Sequence, residues 1–385
     1  MKLELTEEQQ QIQETARQFA REVLAPVAAQ QDEHSNDKLF LNNIKQLAGL
    51  GFMGLNIKAA YGGTEAGVVA FSVAITEIAR ACASTAVTMS VTNMVAEVIQ
   101  AIGNEEQKLK YLPKLCSGEY AAGGFGLTEP SAGSDPSRMK TKAVKQGDDW
   151  VLNGGKVYIT SGSYAGVFVV WAVTDPAAAP GKGISCFLVE AGTPGLTIGK
   201  AEDKMGQRAS HTNALFFDNC RIPASALLGK LHEGYRVAVG ELAGGRIGIG
   251  SLALGIGLAA MDYARNYLTE REQFGQKIMN FQALQFQLAD RYTELEAARL
   301  LLMQAAYEKE QGRAFGKQAS MAKVFATEKA NEACYTALQM LGGNGYIREY
   351  SLERYARDVR ITSIYEGSSE IQRVIISREL LKEIL

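Results

Sequence analysis

The sequence is short of the residues that most often build metal sites and disulfide frameworks. Its three histidines, His34, His211 and His232, lie far apart, so no histidine-rich metal site is expected. The five cysteines, Cys82, Cys116, Cys186, Cys220 and Cys334, are scattered, odd in number and contain no CxxC pair. Neither a zinc site nor a disulfide framework is supported, and a reducing compartment fits best. No excess of one charge exists, with 40 Lys and Arg against 42 Asp and Glu. A balanced surface offers nucleic acid no electrostatic footing. Residues 226–385 alternate acidic and basic side chains, as on a solvated helical face, rather than forming a basic domain. There is no run of 18 apolar residues, so no membrane span is expected. The opening MKLELTEEQQQIQETARQF carries carboxylates and lacks an apolar core, so it does not read as a signal peptide. The expected location is cytoplasmic. Internal repeats and low-complexity segments are missing too.

What remains is a chain of 385 residues, 46% of them hydrophobic. That is too long for one simple core, and two or three packed units are expected. Residues 1–118 read as helical. Thr6-Glu7-Glu8-Gln9 forms a capping box, and Ile12, Ala16, Phe19, Ala20, Val23 and Leu24 follow at helical spacing, with Pro26 as punctuation. Further helices are predicted over 39–55, 68–82 and 88–103. Residues 119–225 change texture. Turn dipeptides such as Gly147-Asp148, Asn153-Gly154 and Asp218-Asn219 occur there, and strand candidates fall at 122–127, 150–158, 167–173, 184–190 and 214–217. Strands at that spacing with no helix between them predict an antiparallel barrel or sandwich. From 226 to 385 the helical period returns. Leu284, Leu288, Tyr292, Leu295, Ala298 and Leu302 make one stripe, and breaks near Gly275, 312–316 and 342–345 predict about four long helices and a final one from Gly367. The fold class is α+β in the order helical domain, β domain, four-helix bundle.

Two stretches carry chemistry. In Phe125-Gly126-Leu127-Thr128-Glu129-Pro130-Ser131-Ala132-Gly133-Ser134-Asp135 a strand runs into a loop of small residues. Small residues let backbone N–H groups approach a ligand, and Thr128 and Ser134 add hydroxyls. Composition alone also allows an ordinary β-domain loop. Glu366 stands between a charged helical stretch and the small residues Gly367-Ser368-Ser369. A carboxylate there can point into a cleft, although taken alone it reads more readily as a solvated acid favoured by a helix dipole.

The first loop resembles the first signature of the acyl-CoA dehydrogenase family. The second signature is similar to Gln339-Met340-Leu341-Gly342-Gly343-Asn344-Gly345-Tyr346, Arg357-Asp358 and Ile364-Tyr365-Glu366-Gly367-Ser368-Ser369-Glu370-Ile371-Gln372-Arg373, and Arg271-Glu272-Gln273-Phe274-Gly275 lies between them. The likeness spans nearly the whole chain, in the family's order. It implies FAD as cofactor and Glu366 as the base that takes the α proton of an acyl-CoA while a hydride leaves the β carbon for flavin N5. Phe125, Leu127, Thr128, Gly133 and Ser134 would line the flavin, with Tyr158, Ile159 and Thr160 on the ring's other side; Tyr158 stands where many members carry Trp. Arg271, Gln273, Phe274, Gln282, Gln339, Gly342 and Gly343 would reach FAD of a neighbouring subunit, and Ser368 and Glu370 its adenine and ribose side. Such contacts imply a homotetramer. Ser134, Arg246, Tyr365 and Gly367 would meet the substrate, Arg246 on the CoA side, although Ala243 replaces an Asp common in the family. Electron-transferring flavoprotein is the implied electron acceptor.

Within the family the segments GGRIGIGSLALGIG, QFQLAD and RITSIYEGSSEIQR are most similar to short-chain and short-branched-chain enzymes. The isovaleryl type carries its base immediately before the CoA-side Arg, where this chain has Gly245. Gly245 and Gly248 could make room for a branch or an aromatic ring, so medium-chain and aryl-acyl-CoA dehydrogenases are alternatives. From another class, a catalytically silent FAD- and CoA-binding homologue would serve assembly or scaffolding; an intact Glu366 argues against it.

Overall fold

Local signals start the chain. In the computed structural model, which describes residues 4–34, 36–382 and 384, the Thr6 hydroxyl accepts from the Gln9 N–H at 3.2 Å. The Gln9 side chain accepts from the Thr6 N–H at 3.0 Å, so the expected capping box opens α1 (Glu7–Phe19). Pro26 does not end this helix. A π turn over Ala20–Leu24 leads into α2 (Ala25–Glu33), with Pro26 in the first turn, where a missing N–H is harmless. α3 (Asp37–Gly49), α4 (Val68–Ala81) and α5 (Ala83–Ile102) follow. Asn104, which the pattern marks as a stop, is also a start. With Gln107 it makes a second capping box for α6 (Glu105–Ser117), a helix the periodicity does not reveal.

The middle of the chain is one eight-stranded sheet. Its strands are β1 (Ala122–Gly126), β2 (Lys142–Gln146), β3 (Asp149–Thr160), β4 (Ala165–Val173), β5 (Ile184–Glu190), β6 (Leu196–Ala201), β7 (Thr212–Pro223) and β8 (Leu227–Leu228). The order is β6-β7-β3-β2-β4-β5-β8, with β1 pairing with β4. Most pairs are antiparallel as expected, but β4 runs parallel to β1 and to β2. Helix-free spacing did not forbid that, because the β2–β3 hairpin itself carries the chain back to start a parallel neighbour.

Alternation on β4 explains how the sheet joins the helices. Val167, Val169 and Trp171 belong to the large core shared with the helices, while Phe168, Val170 and Ala172 belong to a smaller core inside the sheet. Trp150 on β3 and Phe187 on β5 are not on neighbouring strands, yet their rings approach to 5.3 Å, so the sheet curls over this second core. Trp171 also donates from its indole N–H to the Gly234 carbonyl at 2.8 Å, tying the sheet to the next helix.

That helix, α7 (Gly234–Glu270), is 37 residues long. A short hairpin of β9 (Glu272–Gln273) and β10 (Gln276–Lys277) follows, then α8 (Gln282–Glu310), α9 (Gly316–Met340), α10 (Leu352–Arg360) and α11 (Ser369–Lys382). The breaks fall where glycine predicted them, although the fourth helix of the set, α10, is short. α7 is the central rod. A Cβ at Gly250 would meet Leu302 of α8 at 2.6 Å, and one at Gly257 would meet Leu295 of α8 at 3.0 Å and Ala330 of α9 at 3.2 Å, so small residues set the close packing. By length and hydropathy α5 and α7 could each cross a membrane, although neither contains an uninterrupted run of 18 apolar residues. Here both are core helices, with 78% of the most apolar stretch of each buried in the protein.

Candidate active site

The carboxylate singled out by the sequence sits on a strained corner. After α10 the chain makes a 3₁₀ turn over Ile361–Ser363 and then places Glu366 at φ 55° and Gly367 at φ 85°. Glycine adopts that region freely, whereas for Glu it costs roughly 1–3 kcal/mol and persists only where surroundings enforce it. Two side chains do so. The Gln372 amide donates to the carbonyls of Glu366 at 3.1 Å and Gly367 at 2.8 Å. The Lys323 ammonium, from α9, donates to the same Gly367 carbonyl at 2.8 Å.

The corner turns the side chain inward. Glu366 Oε2 is buried with no hydrogen-bond partner, although the residue as a whole is only half-buried. The solvated-acid reading therefore fails. The carboxylate rests on the bare Cα of Gly245 on α7, where a Cβ would lie 2.9 Å from both Glu366 Oε2 and Met94 Sδ of α5. At Gly248 a Cβ would collide with Ser90 Oγ. The space expected over Gly245 and Gly248 for a branch or ring is thus filled, by Glu366 and Met94 at the first and Ser90 at the second. A sequence shows the missing side chain, not what packs into the gap.

Burial pushes the Glu366 carboxyl up to about 7, against the opposing pull of Arg246 and Lys323. Arg246 is 5% exposed; its Nε is buried without a partner and its terminal nitrogen reaches Ser320 Oγ at 3.4 Å. Burial lowers its guanidinium, and Glu366 opposes that. Lys323 is fully buried, and burial lowers its ammonium to about 8. A proton acceptor tuned near neutrality between two buried cations is suited to abstracting a weakly acidic proton. Tyr365 bonds the Gln207 side chain at 3.2 Å, and Gln207 in turn holds the buried Asp358 of α10, linking the corner to the loop after β6.

A second group lies on the sheet. The Thr128 carbonyl accepts from the Val157 N–H at 2.9 Å, so the 125–135 loop and the 157–160 segment adjoin. The β3–β7 register slips between Lys156 and Ile159, and the bulge puts Tyr158 at φ 59° with 70% of its surface exposed. Thr128 and Thr160 are half-buried, and Gly133 and Ser134 are exposed, with open space where a Gly133 side chain would be. Phe125 packs on Trp171 with centroids 4.4 Å apart. Leu127 and Ile159 are buried in the two cores, so they can offer a cofactor backbone but not side chains. An uncovered aromatic beside an open, hydroxyl-bearing loop fits a flat polar cofactor such as a flavin.

The remaining predicted residues lie elsewhere. Arg271, Gln273, Phe274 and Gln282 are exposed around the β9–β10 hairpin, Gln339 is exposed in the last turn of α9, and Gly342 and Gly343 are exposed just past it. Asn344 donates to the Tyr267 hydroxyl at 2.8 Å, which brings the α9 end to the α7 end. Ser368 is half-buried and Glu370 exposed at the start of α11. The chain thus brings Glu366, Arg246, Tyr365 and Gly367 together, and Phe125–Ser134 with Tyr158–Thr160, while the bundle-end residues form a separate exposed group.

Several site residues escaped the sequence reading. Lys156, fully buried, donates to Glu129 Oε1 at 2.8 Å and to the Leu127 carbonyl at 3.1 Å, anchoring the loop from beneath. Lys323 had a signal: it interrupts the stripe of Ala319, Ala322, Ala326 and Ala330, all fully buried.

Known proteins agree with this architecture. Profiles of the acyl-CoA dehydrogenase N-terminal, middle and C-terminal domains match residues 6–119, 124–220 and 232–381. The mitochondrial short-chain specific acyl-CoA dehydrogenase of Homo sapiens is 45% identical over 99% of this chain and 92% of its own length. Butyryl-CoA dehydrogenase from Megasphaera elsdenii superposes with a TM-score of 0.95 at 39% identity, covering 99% of this chain and all of that one. A chain solved in work on the electron transferring flavoprotein of Acidaminococcus fermentans gives 0.96 at 43%, with 99% and 100% covered. With three domain profiles matched in order and full-length relatives above 30% identity, this chain belongs to the acyl-CoA dehydrogenase family of FAD-dependent enzymes.

Proposed function

We propose that this enzyme converts a short, unbranched acyl-CoA to its trans-2-enoyl thioester, with Glu366 as the base. The observation that carries this is the buried, unpartnered Glu366 oxygen, held on a left-handed corner between Arg246 and Lys323. Glu366 takes the α proton as the β hydrogen departs with its electron pair, leaving a carbon–carbon double bond. FAD, when bound, supplies the acceptor for that pair. The Glu366 backbone N–H polarises the thioester carbonyl, an oxyanion-type contribution, with Tyr365, Gly367 and Ser134 about the thioester. Arg246, with so little exposed surface, serves mainly to set the charge around the carboxylate. Phe125, Thr128, Gly133, Ser134, Tyr158 and Thr160 would hold the flavin, with Leu127 and Ile159 contributing backbone. Short chains are favoured because Met94 and Ser90 fill the room over Gly245 and Gly248, and the relatives above include short-chain and butyryl-CoA enzymes.

Phe274, Tyr335 and Tyr346 are 91%, 72% and 82% exposed near Arg271 and Gln339. Apolar surface of that kind supports a homotetramer in which Arg271, Gln273, Gln282, Gln339, Gly342, Gly343, Ser368 and Glu370 meet a neighbour's cofactor. Electron-transferring flavoprotein is the proposed acceptor, in line with the Acidaminococcus fermentans neighbour. The test is Glu366→Gln, which keeps flavin and acyl-CoA binding but loses bleaching of the flavin absorbance by butyryl-CoA. Undiminished bleaching would remove Glu366 from its role. A wild-type protein that binds butyryl-CoA without bleaching would instead be the silent homologue.

A further inference from the structure

We infer that Lys323 is a positioning residue for the base: its ammonium pins the Gly367 carbonyl that shapes the corner and supplies a positive charge favouring ionised Glu366. This rests on Glu366 being the base. Lys323 is fully buried on α9, and among the described residues it has no carboxylate within ion-pair distance. Its hydrogen bond goes to the Gly367 carbonyl at 2.8 Å. A buried ammonium without a contacting counter-ion is costly, and an apolar side chain would pack there more cheaply. Structure alone gives no reason to keep the charge. Gln372 donates to the same carbonyl at 2.8 Å, so the corner keeps one donor when Lys323 is replaced. What Lys323 alone adds beyond its hydrogen bond is charge. Glu366 is the largest favourable electrostatic partner acting on it, ahead of Glu328 and Glu370, while Arg246 opposes.

The groups around Glu366 make the sign clear. Arg246 faces it from α7 and Lys323 from α9, both favouring the carboxylate; α5 presents neutral Met94, and Tyr365 is its chain neighbour. Removing one of the two cations makes Glu366 hold its proton to higher pH. Since only the ionised form can act, the acidic limb of the rate profile must move up, by roughly half to one unit.

The experiment uses the FAD-loaded enzyme and follows single-turnover flavin reduction by butyryl-CoA from pH 5.5 to 9. Lys323→Met and Lys323→Gln are expected to shift the acidic limb upward by that amount, slowing turnover roughly 2–5-fold at neutral pH. Lys323→Arg keeps the charge and should restore the limb. Gln372→Met, which loosens the same corner without touching charge, should lower the rate at every pH and leave the limb in place. The Glu366 carboxyl band in difference infrared spectra against Glu366→Gln should titrate upward in step. A limb unmoved in both neutral variants overturns the inference, as does one that shifts in Lys323→Arg. If Glu366→Gln is inactive while these limbs stay put, only the role of Lys323 fails. If Glu366→Gln turns over normally, the assignment of the base fails instead.

Discussion

Gly240 and Gly245 lie on the same helix, five residues apart, and the same methyl group should have opposite consequences at the two. At Gly240 a Cβ meets nothing within 4 Å; at Gly245 it meets Glu366 Oε2 and Met94 Sδ at 2.9 Å and Glu366 Cδ at 3.2 Å. Both positions are inside α7, so each Ala brings roughly 0.5–1 kcal/mol of helix propensity. At Gly245 the neighbours must retreat to ordinary contact of about 3.5–4 Å, a displacement of about 0.5–1 Å. The carboxylate gives way most readily, because Oε2 has no hydrogen bond to hold it. Misplacing a reacting group by about 1 Å can cost about 100-fold. Gly245→Ala should therefore lower kcat/KM for butyryl-CoA roughly 10- to 100-fold with little change in melting temperature, while Gly240→Ala should keep activity within about twofold. The assay is steady-state turnover with a dye acceptor on FAD-loaded protein, paired with thermal melting. Equal turnover by the two variants would refute the idea that the carboxylate is seated on the Gly245 backbone.

Three further outcomes are expected. Because burial raises the Glu366 carboxyl from 4.5 to about 7, the native protein keeps a proton there that the unfolded chain has released, so its stability falls as pH rises across that window and levels off above it. Glu366→Gln does not titrate, so it should be the more stable protein at pH 8, by up to about 3 kcal/mol, and show no such gain near pH 4; urea unfolding at the two pH values checks this. Lys156→Met leaves Glu129 buried with only the backbone N–H groups of Lys140 and Thr141 as partners, and should cost about 3–5 kcal/mol, read by denaturant unfolding together with loss of flavin. Arg271→Glu, at an exposed position by the β9–β10 hairpin, should weaken FAD retention and assembly together; a monomer that holds its full complement of FAD on gel filtration would contradict the shared site.

Much of this protein is written locally in its sequence. The Thr6 capping box, the Gly147-Asp148 turn and the glycine breaks between the last helices each act over a few residues, so spacing alone locates them, whereas Asn153-Gly154 and Asp218-Asn219, expected as turns, lie inside β3 and β7, the first at a slip in the β3–β7 register. The long motifs around Thr128, Phe274, Gly342 and Glu366 likewise identify the family without any coordinates. Short-range rules missed what depends on partners far along the chain. β4 pairs parallel with β1 because strands distant in sequence meet, and α6 hid because its buried residues, Gln107, Tyr111, Leu112, Leu115 and Cys116, are few and its partners, α5 and α3 among them, are set by tertiary packing.

The site divides the same way. Sequence sufficed to say that a carboxylate at 366 stands just before the last helix, and that glycines stand at 245 and 248. Only the tertiary structure decided that this carboxylate turns inward onto Gly245, that Met94 and Ser90 occupy the room the glycines leave, and that Arg246 and Lys323 bring buried charge to it from two other helices. Desolvation and charge act through space, over residues separated in sequence by 43 positions for Lys323 and 120 for Arg246, and no local pattern of residue types encodes which of them will be neighbours.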